Sequence, residues 1–287
     1  MRLFFFFLFA ALVNFALPGS ADMVPADEPL SLEPVGHVEK SGGQEISGLV
    51  KSRLHNNVFW AINDSGHPAA LVPLNPQGDV VSGRMIPVPG ARNIDWESLA
   101  ADRSGKLYIC DVGNNFSRRK ELQIYVLDEP SPDSSSASRP EVLRIRYPDQ
   151  QNTSAPKLIH DCEAAFIYRK KLYLLTKRLS DAATALYRLD SGNINTVNTL
   201  THITTYPIGG YVTGADISPD QKMLAVLTYQ SLWILYDFKN DDFFAGKKKV
   251  IPLKGAGQIE SIAFTSAGNL MLINESDNEI FTVSLDM

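Results

Sequence analysis

Cysteine is nearly absent. Cys110 and Cys162 are the two in 287 residues, too few for a disulfide framework, so the fold has to stand on an apolar core. Their expected state is two buried free thiols, with a bond between neighbouring repeat units as the alternative in an oxidising compartment. Surplus positive charge is missing too. Lys and Arg number 27 against 32 Asp and Glu, a net charge of −5, which excludes the basic stripe that nucleic-acid binding requires. Histidine is sparse, and the five, at positions 37, 55, 67, 160 and 202, do not cluster. His160, beside Asp161, is expected to be a surface or hydrogen-bonding histidine. No Gly-x-Ser-x-Gly elbow, His-Glu-x-x-His pair, Walker loop or dinucleotide fingerprint occurs. Sustained 3.6-residue periodicity is also lacking, which argues against helices.

The only long apolar run is at the start. "MRLFFFFLFAALVNFALPGSA" has an early Arg2, an apolar stretch and small residues at Gly19, Ser20 and Ala21. It reads as a secretory signal cleaved after Ala21, since about 15 apolar residues fall short of the ~20 a membrane span needs. The mature chain, 22–287, is then expected to be a single exported domain, periplasmic or secreted, with no later span.

What the rest contains is a repeat. "DWESLAADRSGKLYICD" is echoed by "DCEAAFIYRKKLYLLT" and "QIESIAFTSAGNLMLIN", and more faintly by "EISGLVKSRLHNNVFWAIN" and "YVTGADISPDQKMLAVLT". Each is an apolar run, a turn, and a second apolar run ending in a polar residue. The copies align Ser47, Glu97, Glu163, Thr213 and Glu260 at spacings of 50, 66, 50 and 47 residues. A Ser- and Pro-rich loop over residues 128–141 accounts for the long spacing and is expected to be a surface excursion. Further alternating runs follow each pair, including residues 197–204 in the third unit, giving four strands per unit of about 50 residues, the pattern of a propeller blade. The fifth unit ends one strand short, and residues 32–40 can supply it. The expected fold is all-β: a five-bladed β-propeller, monomeric, with an N-terminal strand completing the last blade and no open sheet edge at the closure.

The first strand of a propeller blade lines the central channel, so the aligned positions form a ring of hard oxygen donors: Ser47, Glu97, Glu163, Thr213 and Glu260. Carboxylates converging on a narrow channel repel one another unless a cation neutralises them. Calcium, with six to eight oxygens in loose geometry, suits the ring better than magnesium or zinc. The alternative is that these side chains bridge blades through backbone amides. Asp95 and Asp161 lie two residues before the ring, on the same strand face. A second set lies where each second strand ends: Asn63–Asp64, Asp111, Thr176–Lys177, Thr228–Tyr229 and Asn274–Glu275.

The order Ser47, Glu97, Glu163, Thr213, Glu260 resembles that of the calcium-activated nucleotidases (apyrases), secreted five-bladed propellers with calcium in the tunnel. The third unit, "CEAAFIYRKKLYLLTKRLS", is similar to their pattern of Glu, apolar strand and paired basic residues, which implies that Lys177 and Arg178 face a phosphate. Where that family carries a basic–acidic–Trp segment, this chain has Gly113-Asn114-Asn115-Phe116. "INDSG", "DWESLA", "DVGNN" and "TGADISPD" also resemble exported bacterial phytase-like propellers. The two resemblances agree on fold and calcium and differ on substrate.

Two functions remain open. One is a non-catalytic module binding a small molecule, phosphorylated or not, or an envelope protein. The other is a calcium-dependent phosphohydrolase, with Asp95, Asp111 or Asp161 as base and Lys177, Arg178 and Arg118 or Arg119 holding negative charge. The loops "NDSGH", "DVGNNFSRRK" and "TKRLSD" bring Asp64, His67, Asp111, Asn114, Arg118, Lys177 and Arg178 toward one surface as the ligand-binding set.

Overall fold

The computed structural model describes residues 23–25, 28–150, 158–255 and 257–285; the expected signal segment, 1–21, lies outside them. The chain is a five-bladed β-propeller. Blade 1 comprises Ile46–Lys51, Phe59–Asn63, Ala70–Leu74 and Ile86–Pro87; blade 2 comprises Trp96–Ala101, Lys106–Asp111, Leu122–Asp128 and Glu141–Arg146. Blade 3 is Asp161–Tyr168, Lys171–Lys177, Thr184–Leu189 and Thr201–Tyr206, and blade 4 is Val212–Ile217, Met223–Thr228, Ser231–Tyr236 and Lys247–Lys254. Blade 5 takes Ile259–Ser266, Asn269–Asn274 and Glu279–Ser284 from the end of the chain and Gly36–His37 from its beginning. No helix among the described residues is long and apolar enough to cross a membrane.

Burial explains why the inner strands read as unbroken apolar runs. Phe59–Asn63 is buried on both faces, whereas the outer Glu141–Arg146 alternates exposed and buried, as strands covered on two faces or one should. Each interface between neighbouring blades has its own core. Trp60 and Trp96 meet between blades 1 and 2, Cys110 and Cys162 between 2 and 3, and Phe166 and Trp233 between 3 and 4. Leu232 and Phe281 meet between 4 and 5, and Phe59 and Ile273 close the ring between 5 and 1. Both thiols are buried and free.

The seam of the ring is short. Gly36 and His37 pair antiparallel with Ile280 and Glu279, while Val35 N and Val38 N donate to Ile280 O and Asn278 O at 2.7 and 2.9 Å. Gly78 (φ 95°) seats the seam on blade 1: a Cβ there would lie 2.3 Å from His37 O.

Three features depart from the sequence-based expectation. Residues 197–204 do not form one strand: Val197–Thr199 runs parallel to blade 2's Glu141–Arg146, and Thr201–Tyr206 edges blade 3. Buried Leu200 marks the switch, its N–H held by Arg146 O at 2.9 Å. The chain's beginning also edges blade 4, where Met23–Pro25 and Leu30–Ser31 pair parallel with Lys247–Lys254. Finally, the 128–141 loop clasps blade 1 rather than leaving the surface. Buried Glu129 accepts from Arg53 N at 3.1 Å, Trp60 Nε1 at 2.9 Å and Ser52 Oγ, and Ala137 N donates to Pro87 O at 2.9 Å.

Candidate functional site

The five first strands touch in sequence and return to the start: Ile46–Lys51 meets Trp96–Ala101, then Asp161–Tyr168, Val212–Ile217, Ile259–Ser266 and Ile46–Lys51 again. Each carries a bulge against its partner strand, falling between Ile46 and Gly48, Trp96 and Ser98, Cys162 and Ala164, Val212 and Gly214, and Ile259 and Ser261. The residues skipped by the pairing are Ser47, Glu97, Glu163, Thr213 and Glu260. A bulge frees one residue from the ladder and re-aims its side chain, and here it does so at the same place in every blade. All five are buried.

The ring residues differ in what they touch. The hydroxyl of Ser47 donates to Trp96 O at 2.6 Å and that of Thr213 to Ile259 O at 2.7 Å, each linking one blade to the next. Backbone bridging thus describes the two hydroxyls. Glu163 accepts from Lys177 Nζ at 2.7 Å, and Glu260 from Tyr229 Oη at 2.7 Å. Glu97 is different: no hydrogen-bond donor among the described residues reaches it. Its carboxylate instead converges with those of Asp64 and Asp95, one oxygen of each lying within 4.8 Å of the others. Between the ring side chains, a cavity of about 10 Å³ is lined by Ser47, Ser98, Glu163, Glu260 and Ser261, room for one water-sized body.

The residues ending each second strand divide their work. Asn63, Thr176, Thr228 and Asn274 are buried and tie down their own blades: Thr176 Oγ1 accepts from Ala185 N, Thr228 Oγ1 from Ser231 N, and Asn274 Oδ1 from Glu279 N, each at 3.0 Å. The next residue along faces the ring: Asp64 toward Glu97, Lys177 toward Glu163, Tyr229 toward Glu260 and Glu275 toward Glu260. Blade 2 breaks this pattern with Val112-Gly113. A Cβ at Gly113 would sit 2.5 Å from the Asp95 carboxyl and 2.6 Å from Glu97 Oε1. Glycine therefore opens the gap that the two carboxylates fill.

Electrostatics follow from this crowding. Burial, and then the charge of Glu163, drive Glu97 and Glu260 well above the ordinary glutamate range. Burial and Asp64 bring Asp95 up to about 6; burial and Glu163 bring Asp161 up to about 8. Asp64 and Glu275 are raised, chiefly by burial. Burial opposes the charge on Lys177, but Glu163, Tyr229, Asp161 and Glu260 outweigh it and hold its ammonium protonated.

The remaining sequence-selected residues separate. Asp111 is fully buried and braces its loop through one oxygen, which accepts from Arg119 Nη2 at 2.8 Å and from Asp95 N at 3.0 Å, while the other has no partner among the described residues. Asp161 accepts from Asn114 N at 2.6 Å through one oxygen, while the other, also buried, has no partner among the described residues. Asn114 shapes its own loop by accepting from Arg119 N at 2.8 Å. Arg178 is clamped by Asp181, and Lys177 is sunk in the tunnel wall, so neither lies free on the surface. Arg118 stands over the exposed Phe116 ring at 5.5 Å. His67 pairs with Glu45 at 2.9 Å, outside the carboxylate cluster. His160 stacks on Tyr147 and meets Asp149 at 3.1 Å, the hydrogen-bonding role expected of it. Tyr229 and Glu275 belong to the set expected at the ends of the second strands, though no ligand role was assigned to them there; Gly113 is a site residue whose spatial role sequence reasoning did not find.

No protein-family model matches the chain, and no curated protein matches it. Among solved structures, the PQQ-bound form of aldose sugar dehydrogenase from Streptomyces coelicolor has a similar fold. It is 12% identical, with 90% of this chain and 99% of that chain covered, at a TM-score of 0.49. The likeness is one of overall fold and says nothing of the ligand here.

Proposed function

We propose that the protein is an exported cation-binding propeller that holds calcium at one mouth of its tunnel and uses that end to bind an oxygen-bearing ligand. The observation that carries this reading is the convergence of Asp64, Asp95 and Glu97 within 4.8 Å, with Glu97 buried and lacking a donor. A buried carboxylate left in that state costs several kcal/mol unless a charge is brought to it. Oxygen-only donors and an irregular arrangement suit calcium, which tolerates loose geometry and added waters. The donor set is shifted from the five-residue ring: Glu97 stays, Asp64 and Asp95 join it, and Glu163 and Glu260 are occupied by Lys177 and Tyr229. Asp64 and Asp95 are only partly buried, so the mouth side remains open to water or ligand. A bound divalent ion there would supply Lewis acidity toward a ligand oxygen.

Phosphohydrolysis is the second reading, and Asp161 favours it. Its unpartnered oxygen and its pKa of about 8 put a proton acceptor near neutrality beside the mouth, as general-base work requires.

Calorimetric titration of metal-stripped protein with calcium tests the main reading. One saturable site and a rising Tm are expected, about 2.7 kcal/mol at a hundredfold excess over Kd, with both lost in Glu97→Gln. Absence of heat and of any Tm shift with calcium would overturn it. A screen of phosphate esters with and without Asp161→Asn decides whether chemistry follows binding.

A further inference from the structure

The opposite end of the tunnel carries a second cavity, with two arginines and one aspartate in its wall. There the inner strands of blades 1 to 4 end, and they and the turns after those of blades 1, 2 and 4 line a cavity of about 130 Å³, with Arg53, Asp102, Arg103, Ile167, Ser218 and Gln221 in its wall. Contributions from four blades place this cavity on the axis. Arg53 extends from the turn after Ile46–Lys51, and its backbone N–H is fixed by Glu129 at 3.1 Å. Its side chain is not fixed in the same way: Nε is buried without an acceptor among the described residues, and the guanidinium acts on the nearby Asp216 carboxyl through charge alone. Arg103 reaches across the axis from blade 2 to blade 4, where Nη2 donates to Pro219 O at 2.7 Å, leaving its other N–H groups for a ligand.

The nearby carboxylates are already engaged. Asp216 is buried, and its two oxygens accept from Ile217 N and Phe264 N, each at 2.8 Å. Asp102 caps its own turn, accepting from Ser104 N at 2.8 Å and Lys106 N at 3.0 Å. Arg53 itself is half-buried, but its buried Nε–H without an acceptor is an unsatisfied donor on a charged group, and the planar fork matches an oxyanion.

We propose that this axial cavity binds a small tetrahedral oxyanion, of the size of phosphate or sulfate, between Arg53 and Arg103. The site is independent of the carboxylate cluster at the other mouth and is tested without any metal.

Metal-stripped protein is titrated calorimetrically with inorganic phosphate and separately with sulfate, and its Tm is followed in each. Saturable binding and a rise in Tm are expected with at least one of the two ions. Arg53→Gln should weaken binding roughly tenfold or more, the loss of a charge-assisted hydrogen bond. Arg53→Lys, which keeps the charge but not the fork, should recover part of it. Arg103→Gln should also weaken binding, and it carries the test should Arg53→Gln fail to fold. Lack of saturable binding by either anion, or unchanged affinity in the folded arginine variants, would overturn the proposal.

Discussion

Buried carboxylates occur at both ends of this tunnel, and one of them, Glu97, is treated unlike the rest. Toward the arginine-lined end, Asp216 accepts two backbone N–H groups and Glu129 accepts three donors, two of them side chains of blade 1. At the other mouth, Glu97 has no donor among the described residues and lies against Asp64 and Asp95. The same functional group is thus a rivet in one place and an unbalanced charge in the other. Burial alone does not mark a functional acid; burial without donors does.

Lys177 offers the sharpest way to break this comparison, because among the described residues it alone supplies an ammonium to the ring carboxylates, at 2.7 Å from Glu163. Lys177→Met strands Glu163 and should cost about 3–5 kcal/mol at neutral pH, read by denaturant unfolding. Glu129→Ala leaves Trp60 Nε1, Ser52 Oγ and Arg53 N without their acceptor and should cost about 2–4 kcal/mol by the same measurement. Glu97→Gln should go the other way in metal-free protein, stabilising it by about 1 kcal/mol, since it removes a carboxyl whose ionisation burial and its neighbours oppose. A Glu97→Gln loss as large as that of Glu129→Ala would show the two ends to be alike.

The smallest effect is on pH dependence. Asp161 and Asp95 have folded values of about 8 and about 6 against an ordinary 3.8, so between these limits the folded chain holds more protons than the unfolded one. Their stability contribution is complete below the ordinary value and declines as pH rises through the folded values. The Tm of metal-free protein should therefore show a component that falls over that window, and Asp161→Asn should remove its upper part.

Much of this was legible in the sequence for a physical reason. Inner strands covered on both faces must be apolar throughout, so an acid or hydroxyl recurring at the same point of each copy, as from Ser47 to Glu260, stood out as an axial position. The bulges that aim those side chains were not legible, because a skipped residue leaves no mark on composition. Depth was hidden as well. Lys177 and Arg178 read as a basic surface pair, yet Lys177 lies one residue beyond buried Thr176 and turns inward, while Arg178 is answered by Asp181 within its own loop. Asp111 looked like a free acid until Arg119 folded back onto it. The low-complexity loop misled in the other direction: Ser- and Pro-rich composition describes most of it, but Glu129 and Ala137 are the residues that dock.

The seam bears on how the chain reaches this form. Asn278 Nδ2 donates to Gly43 O across 235 positions, beside the short pairing that completes blade 5. The entropy of closing so large a loop grows only logarithmically, about 0.6 kcal/mol for each doubling of length, so the ring loses little stability by closing through distant segments. The penalty falls on time instead, since folding slows as contacts become more remote along the chain. Until Gly36–His37 arrives, the outer edge of Glu279–Ser284 stays unpaired, a template for the wrong neighbour. The interval before closure is the chain's most aggregation-exposed moment.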